Sequence, residues 1–129
     1  MEHNSEQCWG NLGNIAKLKR WLDPALDVGG NTHTFADIIT AVMAGEMQLW
    51  QGPKGAAVTL ILSHPQKRLI HFFLAGGEME QVLDFQDSVA AWGKAHGCTE
   101  MTLAGRVGWS RVLKPFGWER QGEFIGVSI

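Results

Sequence analysis

Apolar residues recur at helical spacing in the first part of the chain. Four of them between positions 15 and 22 repeat every three or four residues, which predicts an amphipathic helix over 12–26. Pro24 follows Asp23, and proline restricts the residue before it, so we expect the helix to end or kink there. A second apolar stripe predicts a helix over 34–44, with Thr34 as N-cap and Gly45 as the stop.

The apolar spacing then changes to that of strands. Three short segments rich in β-branched and apolar residues are separated by turns that contain proline or charged residues. The predicted strands are 47–51, 57–63 and 69–74. Strands joined by such short turns form an antiparallel meander, and the middle one is apolar enough to be covered on both faces.

Helical spacing returns in the second half. The pattern predicts a long helix over 78–96 that stops at Gly97, and a strand over 99–103. A short helix over 109–113, ending at Pro115, and a last strand over 121–129 complete the chain. A strand, a helix and a further strand form a right-handed parallel crossover. The order predicts one α/β (α+β) domain with a mixed sheet over 1–129, in which residues 1–10 are flexible.

This element order is similar to that of the GCN5-related N-acetyltransferase (GNAT) family over roughly residues 15–129. In the second half, the helix sequence VLDFQDSVAAWGKAHGC followed by GRVGWSRVLKPFGW resembles small acetyltransferase-fold proteins of tailed bacteriophages. The first resemblance implies acetyl-CoA as the cofactor. The second implies phage structural or assembly proteins as partners.

The segment that corresponds to the family's phosphate-binding loop departs from the family pattern. The resemblance places Ala75, Gly76 and Gly77 there as the candidate cofactor-binding residues, but the two glycines lack the motif's spacing. Glu78 and Glu80 follow at the start of the long helix, where carboxylates suit the helix dipole and repel a pyrophosphate. We therefore expect no cofactor, with acetyl-CoA as the alternative.

The catalytic acid of many family members is also missing. It is a tyrosine on the last helix, and this chain contains no tyrosine. Ser110 and Cys98 are the available substitutes, but a serine hydroxyl is far too weak an acid near neutral pH. The sequence therefore assigns no catalytic residue.

Composition limits the classes of function. The formal net charge is −2, which gives no electrostatic reason for binding nucleic acid or anionic membrane. The basic cluster Lys17, Lys19 and Arg20 is typical of a solvated helix face. Two isolated cysteines and a polar start without a signal-peptide pattern favour the cytoplasm, here that of a phage host, or association with a virion.

Aromatic and arginine residues in the last third form the candidate interface. The residues are Arg106, Trp109, Arg111 and Trp118. Tryptophan and arginine are the usual anchors of protein interfaces. The alternative for the tryptophans is packing at the edge of the core.

Other polar residues have simpler explanations. His71 lies on a central strand, where a packed histidine is more common than a catalytic base. The carboxylates of 78–87 are typical of a charged helix face, and no pair of histidines has metal-site spacing, so we expect no metal.

Three functions therefore stay open. The first is a non-catalytic acetyltransferase-fold protein of a phage or prophage, with a role in virion assembly or protein binding. The second is an acyl-CoA-dependent N-acetyltransferase with an atypical cofactor loop. The third is a small regulatory or nucleic-acid-associated adaptor, against which the net charge argues. A second copy of the chain is a further candidate partner.

Overall fold

The computed structural model describes residues 15–28, 32–104, 111–121 and 124–129. The helices are α1 (Ile15–Val28), α2 (Phe35–Met43) and α3 (Met79–Ala95), and residues 111–113 form a helical turn that continues as a 3₁₀ helix at Lys114–Phe116. The strands are β1 (Gln48–Gly52), β2 (Gly55–Ser63), β3 (Arg68–Gly77), β4 (Glu100–Ala104), β5 (Glu119–Gln121) and β6 (Phe124–Ser128).

The described strands form one mixed sheet of order β1-β2-β3-β4-β6-β5. β1, β2 and β3 pair antiparallel as the predicted meander, and β3 pairs with β4 in parallel through α3. The mixed α/β fold class is thus confirmed. The single last strand was wrong, because β5 and β6 pair antiparallel as two strands. Side chains alternate in the same way along β5 and β6, because both are extended strands. The apolar pattern therefore does not show that the chain reverses direction between them.

The helix ends follow local chemistry with one exception. Thr34 and Asp37 form a capping box at the start of α2, and Gly45 after its end has φ +80°, as the sequence predicts. α1, however, does not end at Pro24 but continues to Val28. Proline inside a helix costs about 3 kcal/mol or more. Leu22 and Leu26, buried on either side of Pro24, hold this part of α1 against the sheet.

Two apolar clusters lie on opposite faces of the sheet. α1 and α2 cover one face, where Leu18, Leu22, Ile38 and Val42 pack on strand residues. α3, Leu113 and Trp118 cover the other, and the cluster there includes the fully buried Trp50. No helix in the described part of the chain is long and apolar enough to cross a membrane.

Candidate functional site

β3 and β4 separate partway along the sheet. Their parallel pairing ends at Phe72 and Leu103, yet β3 continues to Gly77 and β4 continues to Ala104, which pairs with Phe124 of β6 instead. A register shift against β2 coincides with this point: Val58 pairs with Leu74 and Thr59 with Phe72, so Phe73 is an extra residue in β3. Such a bulge bends and twists a strand. The end of β3 therefore lies beside an opening in the sheet.

A cavity of about 390 Å³ fills this opening. Its walls are the end of β3 (72–77), one face of α3, one turn of α1 and three residues that follow α3, namely Leu103, Leu113 and Trp118. The volume falls within the range of about 300–1,000 Å³ that is typical of small-molecule sites. Most of the lining is apolar, so a ligand here buries an apolar part.

Close packing fixes two of the walls. A Cβ on Gly76 would lie 2.1 Å from the backbone carbonyl oxygen of Trp21, so only glycine lets α1 approach β3 this closely. On the other side the Trp118 indole N–H donates to Gln86 Oε1 at 2.8 Å and ties the last part of the chain to α3. The shape of the cavity therefore depends on one backbone contact and one hydrogen bond.

The start of α3 differs from the expected phosphate-binding loop. The sequence suggested that residues 75–77 leave the sheet, but they belong to β3 and pair with β2, since β2 already begins at Gly55. The N–H of Glu78 donates to the Lys54 carbonyl at 2.9 Å, which removes one backbone donor from the start of the helix. Glu78 occupies the N-cap position but makes no side-chain capping bond.

The three candidate cofactor-binding residues all line the cavity. Ala75, Gly76 and Gly77 form its β3 wall, so the structure brings them together. Their role in cofactor binding stays a prediction. The carboxylates of 78–87 lie on the exposed side of α3, and the described residues contain no group of three ligands that suits a metal ion.

Of the four candidate interface residues, the structure describes Arg111 and Trp118. Arg106 and Trp109 lie outside the described residues, as does Ser110. Arg111 is exposed, whereas Trp118 is only 4% exposed and packs against Phe72. Trp118 is therefore a core residue and not part of an exposed patch, because its indole is enclosed between β3 and α3.

The titratable groups of the core lie away from the cavity lining. The His71 Nδ1 is 2.9 Å from the Thr102 hydroxyl across the β3–β4 pair, and burial lowers the pKa of His71. Cys98 is buried before β4 begins, and burial raises its pKa. Neither residue lines the cavity, and no described lining residue carries a carboxylate, an imidazole or a thiol. The described part of the lining therefore offers no general base.

The residues that sequence reasoning missed are those of α1. Arg20 and Trp21 line the cavity, although the basic cluster of α1 suggested an ordinary solvated face. The sequence contains only an indirect indication of this wall. Gly76 permits α1 to approach β3 closely at Trp21, and Arg20 is the residue before Trp21.

No family model and no curated protein matches the sequence. Solved structures do match the fold. A crystal structure of the NatC complex bound to Gag peptide and CoA contains a chain with TM-score 0.65 and 14% identity, covering 100% of this chain and 94% of that one. A GNAT-family acetyltransferase from Listeria monocytogenes has TM-score 0.55 and 10% identity over 98% and 91% of the two chains.

The toxin AtaT is a third similar protein. In complex with AtaR and DNA it has TM-score 0.57 and 11% identity, covering 86% of this chain and 85% of that one. A mutant bound to the C-terminus of the antitoxin AtaR and acetyl-CoA has TM-score 0.52, 11% identity and coverages of 86% and 84%.

These likenesses establish the GNAT acetyltransferase fold. The likeness to phage proteins stays a prediction. The expectation that the chain needs no cofactor is contradicted, because proteins of this fold hold CoA in the NatC structure and acetyl-CoA in the AtaT structure. Both also occur in complexes with other proteins. The acidic start of α3 therefore departs from the family pattern at the phosphate-binding loop alone. It is not evidence against a cofactor site in the rest of the cavity.

Proposed function

We propose that this protein is an acyl-CoA-dependent N-acetyltransferase with an atypical cofactor loop. The observation that carries the proposal is the separation of β3 and β4 after Phe72 and Leu103, with the cavity at that point. The complexes of similar proteins with CoA and acetyl-CoA support it.

The cavity suits the acyl-bearing arm of this cofactor. Beyond Phe72 the edge of β3 that faces β4 has no described strand partner, so its backbone groups are available to the amides of a pantetheine arm. Leu103, Leu113 and Trp118 supply an apolar end that excludes water. Bound acetyl-CoA supplies an activated acetyl thioester, and the residues of this chain bind and orient it.

Proton transfer receives little help from the cavity. The chain has no tyrosine, and the described lining holds no base. We therefore expect transfer to depend on an acceptor amine that reaches the site already unprotonated, so that the rate rises with pH. Calorimetric binding is the primary test, because it does not require a known acceptor.

The experiment titrates the protein with acetyl-CoA and compares two variants. Binding in the micromolar range is expected for the wild type, and no heat up to millimolar acetyl-CoA would overturn the proposal. Ala75→Phe fills the cavity from β3 and should abolish binding. Ala44→Phe adds the same side chain at an exposed position after α2 and should bind like the wild type. Thermal unfolding of both variants shows that each is folded.

A second function, protein binding in phage virion assembly, rests on the resemblance in the second half of the chain. Arg111 is exposed there, and Phe116 is 54% exposed. Phenylalanine and arginine are both enriched in protein interfaces. Association with purified virion proteins that Arg111→Ala and Phe116→Ala weaken would favour it. Equal association of variants and wild type would exclude these residues from the contact.

A further inference from the structure

A single charged side chain lines the cavity among the described residues. It is Arg20 of α1, which is exposed and makes no ion pair with any other described residue. Its neighbour Trp21 contacts Gly76 through the backbone, so Arg20 lies on the turn of α1 that meets the last residues of β3. A guanidinium at the rim of an apolar cavity, with no ion-pair partner among the described residues, favours a ligand with an apolar part and an anionic part.

A second cation of α1 lies on the same side of the helix. The Lys17 ammonium is 5.2 Å from the centre of the Trp21 ring, and Trp21 lines the cavity. Arg20 and Trp21 follow Lys17 by three and four residues, so each of them is a neighbour of Lys17 on the helix surface. Lys19 is engaged elsewhere, because it pairs with Asp23 and its ammonium is 5.8 Å from the Phe35 ring.

The start of α3, the other helix that lines the cavity, is poorly suited to anions. Glu78 is its N-cap and Glu80 lies in its first turn, and the N–H of Glu78 is already bonded to the Lys54 carbonyl. Carboxylates near a helix start offset the positive end of its dipole, which would otherwise attract a phosphate. The positive charge near the end of β3 therefore comes from Arg20 and Lys17 of α1 and not from the start of α3.

We infer that Arg20, assisted by Lys17, binds the phosphate groups of the acyl-CoA, and that α1 takes over anion recognition from the start of α3. This inference rests on the proposed function, since the ligand is the same. A guanidinium donates paired hydrogen bonds to phosphate oxygens, which an ammonium cannot do with the same geometry. The Trp21 ring lines the cavity and contacts the Lys17 ammonium, which brings this second cation towards the cavity.

The test compares two ligands that share the acyl arm and differ in phosphate. The wild type, Arg20→Ala, Arg20→Lys, Lys17→Ala and Lys19→Ala are titrated with acetyl-CoA and with S-acetylpantetheine at two salt concentrations. Arg20→Ala should weaken acetyl-CoA binding about tenfold or more and leave S-acetylpantetheine binding unchanged. Arg20→Lys should lie between, Lys17→Ala should lose a few-fold, and Lys19→Ala should match the wild type.

The outcomes separate the two proposals. If the wild type binds acetyl-CoA and Arg20→Ala binds it equally well, this inference is wrong and the proposed function stands. An equal loss for both ligands would place Arg20 against the acyl arm and also overturn it. Failure of the wild type to bind acetyl-CoA overturns the proposed function and this inference together. Should S-acetylpantetheine bind too weakly to titrate, the salt dependence decides, because loss of a phosphate contact lowers its slope.

Discussion

Individual residues of the last third have separate roles that their types alone do not reveal. The sequence grouped Arg111 and Trp118 as neighbours in one contact surface. The structure places the arginine in solvent and the tryptophan inside, bonded to Gln86. Tryptophan serves both cores and interfaces because it joins a large apolar body to one donor. Its environment therefore has to be observed.

The different environments predict different costs on truncation. Trp118→Ala should lower the free energy of unfolding by about 3–5 kcal/mol, because it opens a cavity and leaves the Gln86 oxygen without its donor. Arg111→Ala should change it by no more than about 0.5 kcal/mol, as is usual for exposed positions. Urea unfolding of the two variants measures this. Equal losses in free energy of unfolding for the two variants would mean that Trp118 is not buried against Phe72 and bonded to Gln86.

At the scale of helices and strands, local signals predicted most of the fold. Thr34 and Gly45 mark the ends of α2, and the turns of the meander fall at the two proline-containing segments, around Pro53 and Pro65. The end of β3 was missed because Ala75, Gly76 and Gly77 have low strand propensity. Their pairing with β2 is a long-range contact that no local pattern shows.

The cavity was missed for the same physical reason. It forms between α1, β3, α3 and the segment after β4, which are far apart in the sequence. The resemblance located its β3 wall at Ala75, Gly76 and Gly77 but not its α1 wall. Docking of α1 on β3 depends on a glycine that looks like a loop residue in the sequence.

That docking can be tested with a pair of glycine substitutions. Gly76→Ala places a Cβ against the rigid backbone of Trp21 and should cost about 1–3 kcal/mol in free energy of unfolding. Gly52→Ala places a Cβ 2.3 Å from the end of the Gln81 side chain, which can swing away. It should cost less, mainly the hydrogen bond between Lys54 N–H and Gln81. Equal losses of stability would argue against a fixed contact between α1 and β3.

At the scale of the whole molecule, two buried ionisable groups of the described residues, His71 and Cys98, link stability to pH. His71 and Thr102 bridge β3 and β4, the two middle strands, and Cys98 lies just before β4. Burial lowers the pKa of His71 from 6.5 and raises that of Cys98 from 9.0. Both shifts favour the neutral form in the folded state, so global stability depends on pH at both ends of the physiological range.

The sign of the dependence follows for each group. Below about pH 6.5 the unfolded chain takes up a proton at His71 more readily than the folded chain, so stability falls as the pH falls. Above about pH 9 the unfolded chain releases the Cys98 proton more readily, so stability falls as the pH rises. The free energy of unfolding should therefore have a plateau between these limits, measurable by urea unfolding from pH 5 to 10.

Two variants assign the acidic side of this plateau. His71→Gln keeps a partner for Thr102 but cannot take up a proton, so its stability should decline less between pH 7.5 and pH 5 than that of the wild type. His64→Gln removes an exposed histidine in the turn between β2 and β3 and should keep the wild-type dependence. If His71→Gln also keeps the wild-type dependence of stability on pH, the proton that destabilises the fold is taken up at another group. His71 then does not control stability at acidic pH.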